Sequence, residues 1–401
     1  MLSTLTIEQV LRSQISRLEL LDTGMPRYLG EYNALNTHAL IISGIRRCGK
    51  STYLHQLVKN GNENFIYLNF EDPRLVGFDL TDFNRLHELA VKQGTNVYYF
   101  DEIQNVSNWE NFVRFRLDEG YKITITGSNA SMLSRELGTK LTGRHITREM
   151  FPFSYREFLQ FSNVKGDFAA FEEYLLKGGF PEYLKTGLPE VLMHVFNDIV
   201  IRDIALRHSL KNTMVLQQLA VFLISNIGKL ITGNSLRKIF PIGSSSSVME
   251  YLSHFADAYL FFFVPVFSYS QKVQLVNPRK VYCIDNGLTQ VNSVSFSGDK
   301  GRMFENMVFL HLRRQTPDIF YFSQKRECDF VVLAKGNPSA FQVCWQLDES
   351  NLDREINGLT ECLDFFGLKS GIILTANQTD HFETNGKTIE VKPFYKWVSE
   401  G

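Results

Sequence analysis

Apolar positions in the first 150 residues alternate between two periods. From Ile7 to Leu21 they fall at helical spacing and predict a leading helix packed on the core that follows. Short apolar runs come next at His38–Ser43, Phe65–Asp72, Val97–Glu102 and Lys122–Thr126, each reading as a strand. Between them lie helical stretches at Ser51–Val58 and around Leu80–Gln93, with a further short helix expected over Ser131–Leu137 and an edge or fifth strand over Arg144–Arg148. This alternation predicts a parallel sheet covered on both faces, with ligands at the carboxyl ends of its strands.

The pattern then changes. Helical spacing dominates from Ser154 to about Ser209, and Asn212–Leu288 reads as helix, short helix, helix, then two strands and a turn, the order of a winged helix. Ser247 and Glu250 form a capping-box pattern at the start of the third of these helices. The strands Tyr259–Phe267 and Lys280–Ile284 are expected to flank a wing containing Lys272, Asn277, Pro278 and Arg279. The helix face bearing Met249, Glu250, Ser253 and His254 is expected to point outward and is not basic, which argues against entry into a DNA major groove and leaves docking and structural roles open.

Chemistry concentrates where the strands end. Gly44-Ile45-Arg46-Arg47-Cys48-Gly49-Lys50-Ser51 fits G-x-x-x-x-G-K-[ST] at every fixed position, with a strand before it and a helix after it. Gly44 and Gly49 are expected to let the main chain wrap inward, so that amide N–H groups converge on phosphate oxygens. Lys50 would reach the β- and γ-phosphates, Ser51 would ligate Mg²⁺, and Thr52 would cap or pack. ATP or GTP binding follows. The strand ending in Asp101-Glu102 supplies the partner chemistry: Asp101 to hold magnesium through its water shell and Glu102 to polarise a water for in-line attack, an argument for hydrolysis.

Further candidates are less specific. Ser128 and Asn129 follow the strand Lys122–Thr126 and could sense the γ-phosphate or cap the next helix. Arg144, after Leu141-Thr142-Gly143, could act as an arginine finger in cis or in trans, or be a surface residue; Arg202 and Arg207 invite the same question. Arg27 is expected near the nucleotide.

These motifs, with Phe100-Asp101-Glu102-Ile103-Gln104, Gly127-Ser128-Asn129, Leu141-Thr142-Gly143-Arg144, Phe151-Pro152-Phe153-Ser154-Tyr155-Arg156-Glu157-Phe158 and Lys177-Gly178-Gly179-Phe180-Pro181-Glu182, resemble a prokaryotic family of AAA-type ATPases with a C-terminal region of unknown function. The resemblance implies an α/β fold: a P-loop NTPase core with a parallel sheet at 1–160, a helical lid at 161–210, a winged helix at 211–290, and an α/β domain similar to restriction endonucleases at 291–401. It implies ATP with Mg²⁺ as cofactor and a nucleotide-driven switch of the attached domains. DNA, a protein partner and a second copy of the chain all remain open as partners, and a nucleotide sensor with negligible turnover is the alternative.

The endonuclease-like fold needs two or more carboxylates to hold Mg²⁺ and a lysine to orient water. Glu305 and Asp329 fit two places, but Gln342 and Cys344 stand where Glu-x-Lys is required, so the domain reads as catalytically degenerate. Lys325 and Arg326 are candidate phosphate contacts.

Composition adds bounds. The 401 residues suffice for two or three domains, and 42 basic against 43 acidic side chains give a net charge of −1, so DNA contact would need a local patch. Five cysteines without paired spacing indicate neither a disulfide framework nor a zinc site, which fits a reducing cytoplasm. The apolar run Tyr259–Phe267 contains proline and is too short to span a bilayer, and Met1–Leu21 lacks the uninterrupted apolar stretch of a signal peptide, so a cytoplasmic chain without membrane contact is expected.

Overall fold

The computed structural model describes residues 1–30, 37–61, 63–129, 143–294 and 299–400. The helix expected over Ser131–Leu137 and the residues Leu141 and Thr142 lie outside them. The chain divides into two units, Met1–Met150 with Asp257–Tyr259, and Phe151–Ala256 with Leu260–Gly401.

In the first unit, α1 (Thr4–Leu20) begins at Ser3, whose hydroxyl accepts from the Thr6 N–H, and buries Ile7, Val10, Leu11, Gln14 and Leu18 on one face. Strands β1 (Ala39–Ser43), β2 (Ile66–Asn69), β3 (Val97–Asp101), β4 (Lys122–Gly127) and β5 (His145–Glu149) alternate with α2 (Lys50–Asn60), α3 (Leu80–Lys92) and α4 (Trp109–Asp118). They pair in the order β2-β3-β4-β1-β5, every pair parallel. A sheet buried on both faces needs apolar side chains in both directions, and β1 is accordingly buried at all its positions. Phe70, Phe83, Phe100, Phe112 and Tyr98 fill the core between sheet and helices, with Ile7, Val10 and Leu11 of α1 joining it. Gln14 closes the free edge of β2. Its side-chain amide accepts from Asn69 N at 2.8 Å and donates to Asn69 O at 3.2 Å, as a neighbouring strand would.

The register sets the site. Ser43 pairs with Gly127 and with Glu149, Asn69 with Asp101, and Phe100 with Ile125, so the five strands end within a residue of one another along one edge.

The second unit starts with helices Tyr155–Ser162, Phe168–Lys177, Pro181–Thr186 and Pro189–Asp198, the last running into a π-helical stretch, Ile199–Leu206. Arg202 is exposed and pairs with Asp198 at 3.2 Å, and Arg207 lies 3.9 Å from Asp203. Ser154 and Glu157 form the capping box that begins the first helix. The motif Lys177-Gly178-Gly179 has a packing explanation. Gly178 has φ +67, and a Cβ there would stand 2.3 Å from Asp285 Oδ1; one on Gly179 would stand 2.1 Å from Phe153 O. Asp285, buried, accepts from Gly179 N at 2.6 Å and Leu288 N at 3.1 Å, and burial pushes its carboxyl up to about 6.

Helices Thr213–Ile224, Gly233–Ile239 and Ser245–Asp257 then combine with β6 (Leu230–Ile231), β7 (Phe261–Pro265) and β8 (Arg279–Cys283) in an antiparallel sheet ordered β6-β8-β7. Several expectations need correction here. The helix Ser245–Asp257 starts earlier than a Ser247–Glu250 box requires: Ser244 Oγ accepts from Ser247 N at 3.0 Å. His254 does not face outward, since its ring stacks on His208 at 3.7 Å between centroids. Lys272 belongs to a short helix, Gln271–Val276, and Arg279 opens β8. The two-residue β6 is too brief to leave a periodic signal.

The rest of the unit is the helix Lys300–Arg313 and a six-stranded mixed sheet with helices Leu352–Phe366 and Phe394–Glu400. Its strands are β9 (Ile319–Ser323), β10 (Glu327–Ala334), β11 (Asn337–Val343), β12 (Ser370–Thr375), β13 (Asp380–Thr384) and β14 (Lys387–Pro393), in the order β13-β14-β12-β11-β10-β9. β11, β12 and β14 run parallel to one another and the outer pairs antiparallel. Among the described residues no helix is long and apolar enough to cross a membrane.

Candidate active site

The glycine loop runs from β1 into α2. Gly49 has φ +107, a conformation that suits glycine, and sits directly before the first residue of α2. Gly44 is required for a different reason than the one expected. A Cβ there would lie 2.1 Å from Met150 O, so glycine is imposed by the chain leaving β5. Cys48 is fully buried, its thiol donates to the same carbonyl at 3.3 Å, and burial raises its pKa, so it packs and does not react. Ile45 is buried, Arg46 pairs with Glu71 at 3.2 Å, Arg47 is exposed with φ +65, and Thr52 is half-buried.

Lys50, 3% exposed, donates to Ile45 O at 3.1 Å and stands 3.6 Å from Glu102 Oε1. Ser51 lines the same cleft as Asp101, and Thr126 donates to Asp101 Oδ1. Asp101 Oδ2 accepts from Asn69 Nδ2 at 3.0 Å and Tyr67 OH at 3.3 Å. Asp101 is thus fixed from β2 and β4 together. Its pKa is pushed up to about 6, first by burial and then by the Glu102 charge, with Thr126, Ser51 and Lys50 pulling the other way. Glu102 adopts a left-handed backbone, φ +52 and ψ 45, costly for a residue with a Cβ; its N–H donates to Thr126 Oγ1 at 3.0 Å. Gln104 donates to the Glu102 carboxylate and, at 3.3 Å, to Ser128 Oγ. Ser128 and Asn129 are both buried.

Lys50, Ser51, Asp101, Glu102 and Ser128 therefore gather at one edge. Arg144 does not join them. It precedes β5 at the opposite end of the sheet, where its carbonyl accepts from Ala39 N at 3.1 Å and its guanidinium pairs with Asp118. Five strand residues at about 3.3 Å each separate that end from the loop, so Arg144 cannot act in cis. A different cation reaches the loop. Arg27 Nη1 donates to Cys48 O at 3.1 Å, and its N–H donates to Gln56 Oε1 at 3.1 Å. Gln56 Nε2 donates in turn to Thr23 O at 2.7 Å and Met25 O at 2.8 Å, buckling the segment before β1 onto α2. A cleft of about 470 Å³ opens beside Ser51 and Asp101, lined also by Arg17, Arg47, His55 and Tyr67.

Asn69, Tyr67, Thr126 and Gln104 were not assigned roles from sequence. Asn69 and Thr126 carried a signal: each is a polar residue at the carboxyl end of an apolar strand, the position that faces ligand in a parallel sheet.

In the second unit, Glu305 on the helix Lys300–Arg313 and Asp329 on β10 do come together, around an unexpected third residue, Lys280 of β8. Gln342 and Cys344 fall on β11 and just after it. Lys325 and Arg326 are exposed.

The loop, the Asp101-Glu102 strand end and the β2-β3-β4-β1-β5 order define an AAA-type P-loop core. Comparison with known proteins agrees: a family model described as an AAA domain matches residues 36–159, and one described as a domain of unknown function matches 168–295. The uncharacterized protein MJ1544 of Methanocaldococcus jannaschii is 36% identical over 393 residues, covering 89% of this chain and 87% of that one. An uncharacterized protein of Haemophilus influenzae is 31% identical over 381 residues, covering 89% of this chain and 93% of that one. The chain belongs to the family of these two proteins, a family of AAA-type P-loop ATPases. Among solved structures, that of C. elegans PCH-2 aligns with 35% of this chain and 40% of that chain at 15% identity, with a TM-score of 0.23, a likeness that adds nothing to the fold.

Proposed function

We propose that the chain hydrolyses ATP with Mg²⁺ and uses the nucleotide state to alter how its later domains hold DNA or a protein partner. One observation carries this reading: Ser51 and Asp101, the two groups that would share a magnesium ion, line one cleft, with Lys50 and Glu102 beside them. Mg²⁺ bound there would neutralise charge developing on the transferred phosphoryl group. Lys50 would hold the β- and γ-phosphates, Glu102 would accept a proton from the attacking water, and Ser128 would report on the γ-phosphate. Arg27 would bring a second positive charge to the loop. Tyr28, 75% exposed on the same buckled segment, is a candidate wall for the base.

The domain reading continues as a proposal: core 1–160, lid 161–210, winged helix 211–290, endonuclease-like domain 291–401. The order helix, β6, helix, helix, β7, β8, with the short helix Gln271–Val276 between the last two strands, supports the third. The run of helix, β9, β10, β11, helix and β12, with Glu305 and Asp329 in mutual reach of Lys280, supports the fourth.

Steady-state phosphate release by wild type, Lys50→Ala and Glu102→Gln, each with and without DNA, tests the proposal; equal inertness of all three under every condition discards hydrolysis. A second reading, nucleotide sensing with negligible turnover, is favoured by the engagement of the Glu102 carboxylate by Gln104 and Lys50, which a general base must shed before it acts.

A further inference from the structure

Lys280 is the most enclosed basic side chain among the described residues of the second unit. Its side chain is 4% exposed, and its ammonium lies 2.7 Å from Glu327 Oε1, 2.9 Å from Asp329 Oδ1 and 3.2 Å from Glu305 Oε1. The ammonium donates to Glu305 Oε1 and Asp329 Oδ1, and Glu327 pairs with it by charge. The strand β8 holds the lysine in place. Tyr282, on the same face two residues on, donates to Glu305 Oε1 at 2.6 Å, and its ring stacks on Phe309 at 4.4 Å. Cys283 N donates to Asn306 Oδ1 at 2.8 Å, and Asn306 Nδ2 returns the bond to Cys283 O at 3.0 Å.

Asp329 is held from its other side as well. Asp329 Oδ2 accepts from Val343 N at 3.0 Å, and Asp329 N donates to Gln342 Oε1 at 3.2 Å. Gln342 Nε2 donates to Glu355 Oε2 at 2.5 Å. A glutamate at 342 would set a carboxylate against Glu355 with no proton between them, so the amide suits a cluster whose cation lies elsewhere.

A divalent ion held by Glu305 and Asp329 would need their oxygens to converge on it at about 2.0–2.6 Å. The ammonium already fills the point of convergence, and a second cation beside it would be repelled. Among the described residues, no group of three or more His, Cys, Asp or Glu side chains is arranged to hold a metal ion.

We infer that Lys280 is a tethered cation standing where an endonuclease-like domain would carry its divalent metal, so that this cluster works without metal and ties β8 to β10 and to the helix Lys300–Arg313. Removing the ammonium then turns the cluster into a divalent-cation site. The inference does not depend on the nucleotide reading, and its test uses nucleotide-free full-length protein.

The experiment is a Mn²⁺ titration followed by electron paramagnetic resonance and thermal unfolding, on wild type, Asp329→Asn, Lys280→Met, Lys280→Arg and Lys280→Met/Asp329→Asn. Wild type and Lys280→Arg are expected to take up no Mn²⁺ that depends on Asp329, with melting points alike in Mn²⁺ and in chelator. Lys280→Met is expected to melt lower in chelator, to bind one more Mn²⁺ than wild type, and to regain several degrees, about the shift that saturating a folded-state site gives. The added Asp329→Asn should abolish that gain. Wild-type uptake of Mn²⁺ that Asp329→Asn removes overturns the inference, because the cluster is then an ordinary metal site. Folded Lys280→Met that gains no Mn²⁺ overturns it as well. Should Lys280→Met fail to fold even with Mn²⁺, the comparison of wild type with Asp329→Asn still decides.

Discussion

The ammonium of Lys50 stands 3.6 Å from the carboxylate of Glu102, so the group that would grip phosphate and the group that would activate water are neighbours. Their substitutions should separate cleanly. Lys50→Ala removes a charge-assisted contact and should weaken nucleotide binding by about ten- to a hundredfold. Glu102→Gln should leave binding near wild type and lower turnover by about a hundredfold or more. Calorimetry beside phosphate release distinguishes the two, and equal loss of binding in both variants contradicts the division of labour.

Gln104 tests the positioning of Glu102. Its amide touches both Glu102 and Ser128, so Gln104→Ala should cut kcat by between about tenfold and a hundredfold with little change in nucleotide affinity. A rise in kcat would identify Gln104 as a brake and favour the sensing reading.

The Asp101 carboxyl, raised to about 6 by burial and by Glu102, makes metal use depend on pH. Because the folded value lies above the unfolded one, near 3.9, this group favours the fold below that value, and its contribution is lost as pH rises toward 6. Magnesium needs the ionised form. The difference in ATP affinity with Mg²⁺ and with chelator should therefore shrink as pH falls below 6, by about tenfold per unit. Calorimetry from pH 5 to 8 checks this, and a flat difference across that range contradicts it.

Two glycines with the same backbone twist should respond unequally to alanine. Gly178 and Gly187 have φ +67 and +69, but a Cβ on Gly178 meets Asp285 at 2.3 Å, whereas one on Gly187 meets nothing. Gly187→Ala should cost about 1 kcal/mol from backbone strain alone. Gly178→Ala should cost about 3 kcal/mol or more, since a buried carboxylate must also shift. Urea denaturation measures both, and equal losses would mean that the Asp285 contact is readily relieved.

Much of the first unit was legible because its signals are local. A strand buried on both faces is an apolar run, and the loop is a contiguous octapeptide, so β1 and Lys50-Ser51 could be read directly. Asn69, Tyr67 and Thr126 are remote in sequence from Asp101, and only the pairing of β2, β3 and β4 brings them to it. Arg144 shows the reverse limit: its motif says nothing about which end of a strand it occupies. Lys280 lies 25 and 49 residues from Glu305 and Asp329, on a strand assigned to another domain, so no spacing rule would have joined them. The helix Ser245–Asp257 is capped by Ser244, three residues before the Ser247–Glu250 pattern would place its start.

The left-handed backbone at Glu102 has an evolutionary corollary. Glycine or asparagine would rest there more comfortably, so thermodynamics alone pulls the position away from glutamate. Random substitution followed by selection for folding only should enrich those two residues at 102. Selection for turnover should restore the acid, the mark of a residue kept for use and not for comfort.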